Sequence, residues 1–276
     1  MRRRQGSGTR EGRFSNGIEY IAAGDGPRNL LWLQGGPGSG LPPGLMMRAF
    51  TGTWAPLVDA GFTVWMLTRR RGMPAGYAIS DMADDVADVI AAEFDGKADV
   101  VVGESYGGLI AQYLAANHPG RVGRLVLSSS ACRFDHRFDD ADRRLVEAIC
   151  AGDRTRAGAA LAESVMPGVR YRFVRLLLAP LFGWFVTGYG TGQDPLVEYQ
   201  AELDYDSRPV LPRITAPVLL VAGDHDLIFP KAFVAETARL IPACNLIWYE
   251  GMGHMRAAAS RRLPHDIVAF AGLTRS

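Results

Sequence analysis

The chain has 276 residues, 48% hydrophobic and 21% charged. This is the composition of a soluble globular protein long enough to bury a core without disulfides or metal. Its formal net charge is +1, which excludes a global field that would draw in nucleic acid or an anionic membrane.

The chain opens on Met1-Arg2-Arg3-Arg4-Gln5-Gly6-Ser7-Gly8. No apolar stretch follows the arginines, so this reads as a short disordered tail and not as an export signal. The three cysteines, Cys132, Cys150 and Cys244, are odd in number and lack metal-ligand spacing. They read as buried thiols in a reducing compartment, and a cytoplasmic location is expected.

Leu30-Leu31-Trp32-Leu33 is a buried strand stopped by the loop Gln34-Gly35-Gly36-Pro37-Gly38. Residues 62–67 form the next strand, β-branched and aromatic. Apolar Met82, Val86, Val89 and Ile90 recur at helical spacing over residues 81–94. Residues 99–103 are a third strand, and a helix follows from Tyr106 to Asn117. Further strands are expected at 124–127, 217–222 and 245–249, with helices at 233–240 and 266–270. The strands are continuous apolar runs that alternate with helices, which predicts an α/β fold with a mostly parallel, doubly wound sheet covered on both faces.

Residues 133–211 break this alternation. They carry helical patterns and no strand, and are read as a helical insertion in a core formed by 1–132 and 212–276. The most apolar stretch of the chain, Leu176 to Val186, lies inside it. It is too short to span a bilayer, which needs about 20 residues, and Pro180 and Gly183 interrupt it.

Gly103-Glu104-Ser105-Tyr106-Gly107 matches G-x-S-x-G directly between a buried strand and a helix. That context makes it a nucleophile elbow, with Ser105 pushed out at the carboxyl edge of the sheet. A serine hydroxyl needs a base. Of the five histidines, only His254, in Gly251-Met252-Gly253-His254-Met255, sits on a glycine-flanked loop after a core strand. An acid to orient that base is expected after the strand ending at Ala222, where Asp224 and Asp226 both qualify on spacing.

These motifs resemble the α/β-hydrolase superfamily, in its serine hydrolase branch. The likeness covers nearly the whole chain outside the helical insertion. It includes Asn117-His118-Pro119-Gly120-Arg121-Val122 before the strand at 124–127. It also includes Val221-Ala222-Gly223-Asp224-His225-Asp226 and Gly251-Met252-Gly253-His254. The resemblance selects Asp226 as the acid and implies a catalytic triad of Ser105, His254 and Asp226. It implies an oxyanion hole from the N–H groups of Gly36 and Tyr106, with Gln34 standing where the family commonly has histidine. The insertion then corresponds to the family's cap, whose Leu178, Phe182, Trp184 and Phe185, beside Leu176, Leu177 and Leu181, are candidates for lining an apolar substrate pocket.

The activity so implied is hydrolysis of an apolar small-molecule carboxylic ester through an acyl-enzyme. No metal or organic cofactor, nucleic-acid partner or membrane span is expected. Two alternatives stand beside it. One is an aminopeptidase similar to proline iminopeptidases, with Glu147, Glu163, Glu198 or Glu202 as acids for a free amino terminus; against it, Arg69 stands where that family has Asp. The other is a non-hydrolytic binder or cyclase with an idle triad. Serine at the elbow disfavours epoxide hydrolase and dehalogenase chemistry, whose enzymes carry aspartate there.

Overall fold

The structure is a computed structural model that describes residues 9–36, 39–41, 44, 51–134, 139–166, 168–186 and 193–273. Eight strands form one sheet: β1 (Arg10–Arg13), β2 (Glu19–Ala23), β3 (Arg28–Leu33), β4 (Phe62–Leu67), β5 (Val100–Glu104), β6 (Leu125–Ser128), β7 (Val218–Gly223) and β8 (Cys244–Tyr249). Their spatial order is β1-β2-β4-β3-β5-β6-β7-β8. From β4 to β8 every pairing is parallel, with Leu30 opposite Val100 and Val102 opposite Val126, for example. The six strands expected from apolar runs are all present.

Two strands were not expected. β1 and β2 add antiparallel to the β4 edge. Arg10-Glu11-Gly12-Arg13 carries no apolar run and lies largely exposed, so its strand conformation comes from pairing with β2 and not from burial. Residues 1–8, expected to be a disordered tail, lie outside the described part.

The continuous apolar strands bury both faces. On β5, Val101 belongs to one core, with Leu109 and Leu114 of α3 (Tyr106–Asn117) and Val86 and Ile90 of α2 (Ile79–Glu93). Val100 and Val102 belong to the other, with Leu57 of α1 (Ala55–Asp59) and Ile267 of α10 (Leu263–Phe270). Each side chain so buried contributes roughly 1.5–3 kcal/mol, and the strict alternation fixes strand register, because a slip by one residue would exchange the two faces.

Between β6 and β7 the described residues are almost wholly helical: α4 (Asp139–Cys150), α5 (Arg154–Val165), α6 (Arg172–Val186) and α7 (Asp194–Leu203). An isolated antiparallel bridge between Arg133 and Asp206 closes the base of this segment. Helix α8 (Lys231–Leu240) and the short α9 (His254–Ala258) complete the chain.

Pro180 and Gly183, which interrupt the apolar stretch, do not break the helix, and α6 runs through both. Gly183 serves close packing instead. A Cβ placed on it would lie 2.0 Å from Arg154 O, and one on Gly158 would lie 1.9 Å from Ala179 O, so α5 and α6 cross with backbones nearly in contact. The apolar residues named on α6 do not share one environment. Leu176, Leu177 and Leu181 face solvent, whereas Leu178 and Phe182 are half-buried. The side chains of Trp184 and Phe185 lie outside the described ones.

Gly158→Val would force α5 and α6 apart. We expect destabilisation of about 1–3 kcal/mol or more, read as a drop in melting temperature of several degrees. An unchanged melting curve would mean that the two backbones are not in contact.

Candidate active site

The chain turns back on itself at β3 and β5. From β3 it moves outward to β4, then returns to place β5 on the other side of β3. In doubly wound sheets, sites form at such a switch point, beyond the carboxyl ends of the strands. The loop after β3 carries Gln34, Gly35 and Gly36, and the turn after β5 carries Ser105.

Ser105 has φ 51° and ψ −115°, a backbone conformation that L-residues rarely adopt. The turn is held on three sides. Ser105 N–H donates to Ser128 O at 2.9 Å, and Gly108 N–H to Ser105 O at 2.9 Å. A Cβ on Gly107 would lie 2.1 Å from Leu33 O, and one on Gly103 would lie 2.6 Å from both Gly108 Cα and Ala111 Cβ. Only glycine lets α3 sit this close to β3 and β5. The result is an elbow that presents the Ser105 hydroxyl at the first turn of α3, where the backbone N–H groups are free of helix partners and the dipole favours negative charge.

His254 is placed by a different device. It was expected in a loop; it is instead the first residue of α9, with Gly253 at the N-cap. The segment before it is laced to the loop after β7, because His225 N–H donates to Met252 O at 3.0 Å and Gly251 N–H to Asp224 Oδ1 at 2.7 Å. This separates the two aspartates. Asp224 holds the backbone of the histidine loop. Asp226, buried, accepts Ile228 N–H at 2.9 Å and Phe229 N–H at 3.0 Å on Oδ1, and meets His254 Nδ1 with Oδ2 at 2.8 Å. On the far side of the ring, His254 Nε2 lies 3.0 Å from Ser105 Oγ. Asp226, His254 and Ser105, 28 and 149 residues apart in successive pairs, therefore form one unbroken hydrogen-bonded line. A carboxylate accepts only, so Nδ1 carries the proton toward Asp226 and Nε2 presents its lone pair to the serine.

The loop after β3 lies against Ser105. A Cβ on Gly35 would come within 3.0 Å of Ser105 Cβ and of Glu104 O. Gly36 has φ +74°, in the left-handed region that favours glycine. Gln34, in the position of the family's histidine, is buried, and its Nε2 donates to Gly40 O at 3.1 Å. Among the described residues no group of three His, Cys, Asp or Glu side chains forms a metal-binding cluster.

One ionisable neighbour escaped the sequence reading. Glu104, immediately before Ser105, accepts a hydrogen bond from Trp32 Nε1 at 3.0 Å. Burial pushes its carboxyl above the ordinary range, while the Trp32 donor pulls it partly back. A carboxyl raised in the folded state favours folding at low pH, and that advantage is lost as pH rises through the folded value. Glu104→Gln keeps an acceptor for Trp32 and removes the half-buried charge. We expect it to melt higher than the parent at pH 8 and level with it below about pH 4. A lower melting point at pH 8 would show that the carboxylate is stabilising.

Residues 30–266 match the model of the alpha/beta hydrolase family. A pimeloyl-[acyl-carrier protein] methyl ester esterase of Neisseria meningitidis (strain H44/76) is 32% identical over 197 residues, which cover 68% of this chain and 72% of that protein. An esterase of the same name from Chromobacterium violaceum is 36% identical over 181 residues, 62% of this chain and 68% of that protein. Among solved structures, the enol-lactonase of Burkholderia xenovorans LB400 superposes with a TM-score of 0.68 at 22% identity, covering 92% of this chain and 96% of that one; at that identity it speaks to the fold alone. An elbow serine at the switch point of an eight-stranded sheet, with a family match over most of its length, places this enzyme: the chain belongs to the α/β-hydrolase family and is a hydrolase.

Proposed function

We propose that this hydrolase cleaves carboxylic esters of small, apolar molecules through an acyl-enzyme on Ser105. The observation that carries the reading is the hydrogen-bonded line from Ser105 Oγ through His254 to Asp226, at 3.0 and 2.8 Å.

In this reading Ser105 Oγ attacks the ester carbonyl carbon as His254 Nε2 takes the hydroxyl proton. The C–O bond to the alcohol then breaks, and His254 returns the proton to the leaving oxygen. Water, deprotonated by the same nitrogen, attacks the acyl-enzyme and releases the acid. Asp226 keeps the imidazole in the right tautomer and stabilises the imidazolium that forms twice per cycle. The N–H groups of Gly36 and Tyr106 hold the oxyanion; Tyr106 N–H is at the first position of α3, and each such donor is worth about 10²–10³ in rate. Helices α4 to α7 are the cap of this reading, with Leu178 and Phe182 on the buried side of α6 as candidates for the apolar lining, and Trp184 and Phe185 proposed with them from the sequence alone.

Two relatives bearing the name of a methyl ester esterase support ester over amide chemistry. So does the state of the acids that an aminopeptidase needs for a free amino terminus. Of the four candidates, Glu147 is paired with Arg143 and Glu163 with Arg144 on the outer surface and Glu198 is buried against Arg69, which leaves half-buried Glu202 as the acid that reading would need.

The test is hydrolysis of a chain-length series of p-nitrophenyl esters. We expect a clear rate that falls to background in Ser105→Ala and by about 10⁴-fold in Asp226→Asn, with the preferred acyl length sizing the pocket. No turnover together with no labelling by a fluorophosphonate would sink the proposal in favour of a binder or cyclase. Labelling without ester cleavage would point to a live triad on other substrates, with amino-acid arylamides next.

A further inference from the structure

Arg69 lies two residues past the end of β4 and stands where proline iminopeptidases carry an acid. It is 4% exposed, so its charge must be met inside the protein. Glu198 of α7, 0% exposed, meets it with both oxygens: Nε donates to Oε1 at 2.8 Å and Nη2 to Oε2 at 3.3 Å. The guanidinium has donors to spare. Nη1 donates to Gln34 O at 3.0 Å and Nη2 to Gly36 O at 2.7 Å. The ring of Tyr106 lies 5.0 Å from the guanidinium carbon, and Tyr106 OH donates to the backbone carbonyl of Glu198 at 3.0 Å.

The two carbonyls matter because of the peptide between them. Gln34 O belongs to the 34–35 peptide plane and Gly36 O to the 36–37 plane. The plane they enclose, 35–36, carries the Gly36 N–H that the ester-hydrolysis reading assigns to the oxyanion. A double glycine has little intrinsic preference for one conformation. With both flanking planes held by one rigid cation, the Cα atoms of Gly35 and Gly36 that carry the enclosed peptide are fixed in place, and displacing the loop from Ser105 breaks a charge-assisted hydrogen bond. The same cation lies over the side chain of Tyr106, which supplies the other oxyanion donor.

Helix α7 brings the counter-charge and is itself fastened to the core. Asp194, at its first turn, accepts Gly72 N–H at 3.1 Å, Met73 N–H at 2.9 Å and Ser39 Oγ–H at 2.8 Å. Its carboxylate and that of Glu198, one turn apart, are both buried at the seam between the helical segment and the sheet.

We propose that Arg69, clamped by Glu198, is a positioning residue for the oxyanion hole, so that turnover depends on α7 being docked on the core. The proposal rests on the ester-hydrolysis reading above. Its role differs from that of a plain structural ion pair in one respect: it acts on the reaction's transition state and not on ground-state binding.

Arg69→Lys separates the two. Lysine keeps a cation for Glu198 but lacks the planar fork that reaches two carbonyls at once. We expect kcat on a good p-nitrophenyl ester to fall about 10–100-fold, the scale of a small misplacement of a catalytic group, with KM within about threefold of the parent. A trifluoromethyl ketone, which Ser105 adds to while His254 takes its proton, reports on the oxyanion directly. Its Ki should rise in step with the loss in kcat, while inhibition by the matching methylene alcohol, which forms no oxyanion, stays level. Glu198→Gln, which leaves Arg69 in place with a neutral acceptor, should show the same pattern to a smaller degree and serves if Arg69→Lys does not fold. Parent-like kcat and ketone affinity in a folded variant would overturn the positioning role, as would equal losses in kcat, KM and both inhibitors. A parent protein that neither cleaves esters nor takes a fluorophosphonate would instead remove the reading on which the role rests.

Discussion

The whole site hangs on the tight turn at Ser105. A non-glycine residue at φ 51° is strained by roughly 1–3 kcal/mol, and the fold must hold it there. It does so by packing α3 against β3 and β5 at distances that exclude any side chain at Gly103 and Gly107. The buried apolar face of α3, with Leu109, Ile110 and Leu114 all within 2% of full burial, secures the helix by far more than the strain costs. Moving the serine off the turn would mean unseating the helix, and with it one face of the sheet.

Around that fixed point the parallel sheet supplies direction. β3, β5, β7 and β8 all run the same way, so the loops that leave their carboxyl ends gather on one edge. This is why residues as far apart as Gly35, Ser105, Asp226 and His254 meet. The last step of precision is polar. Asp226 is locked by two backbone N–H groups before it meets His254, so the imidazole docks on a carboxylate whose rotamer is already set. The neighbouring Asp224 has the same chemistry but is used up on Gly251.

The helical segment between β6 and β7 divides by how it is held. α4, α5 and α6 bury Leu145, Ile149 and Ala157 largely among themselves, and α6 leaves Phe173, Leu176 and Leu177 in solvent. α7 is different, since its two buried carboxylates reach into the sheet edge. Removing one partner from a buried pair costs more than the pair itself contributes, so Arg69 and Glu198 are tied to each other's presence. The arginine that departs from the iminopeptidase pattern and the glutamate offered as its amino-terminus acid are thus two halves of one contact.

The sequence by itself determined the six parallel strands, the elbow, and which serine and histidine the fold brings together. These depend on local pattern: an apolar run, a glycine pair beside a turn, a motif carried on consecutive residues. It did not disclose β1 and β2, whose polar residues become strands only by pairing with a neighbour, nor the unbroken course of α6 through Pro180. It left Asp224 and Asp226 equal until a family motif chose between them, and offered Glu198 a different role from the buried pairing it has. Tertiary structure decided those, because each turns on which groups lie within about 3 Å of one another. Arg69 and Glu198 stand 129 residues apart, and nothing local to either reports that the other is there. Likewise, the apolar content of α6 was plain in the sequence, but which of its leucines face water depends on where α5 lies against it.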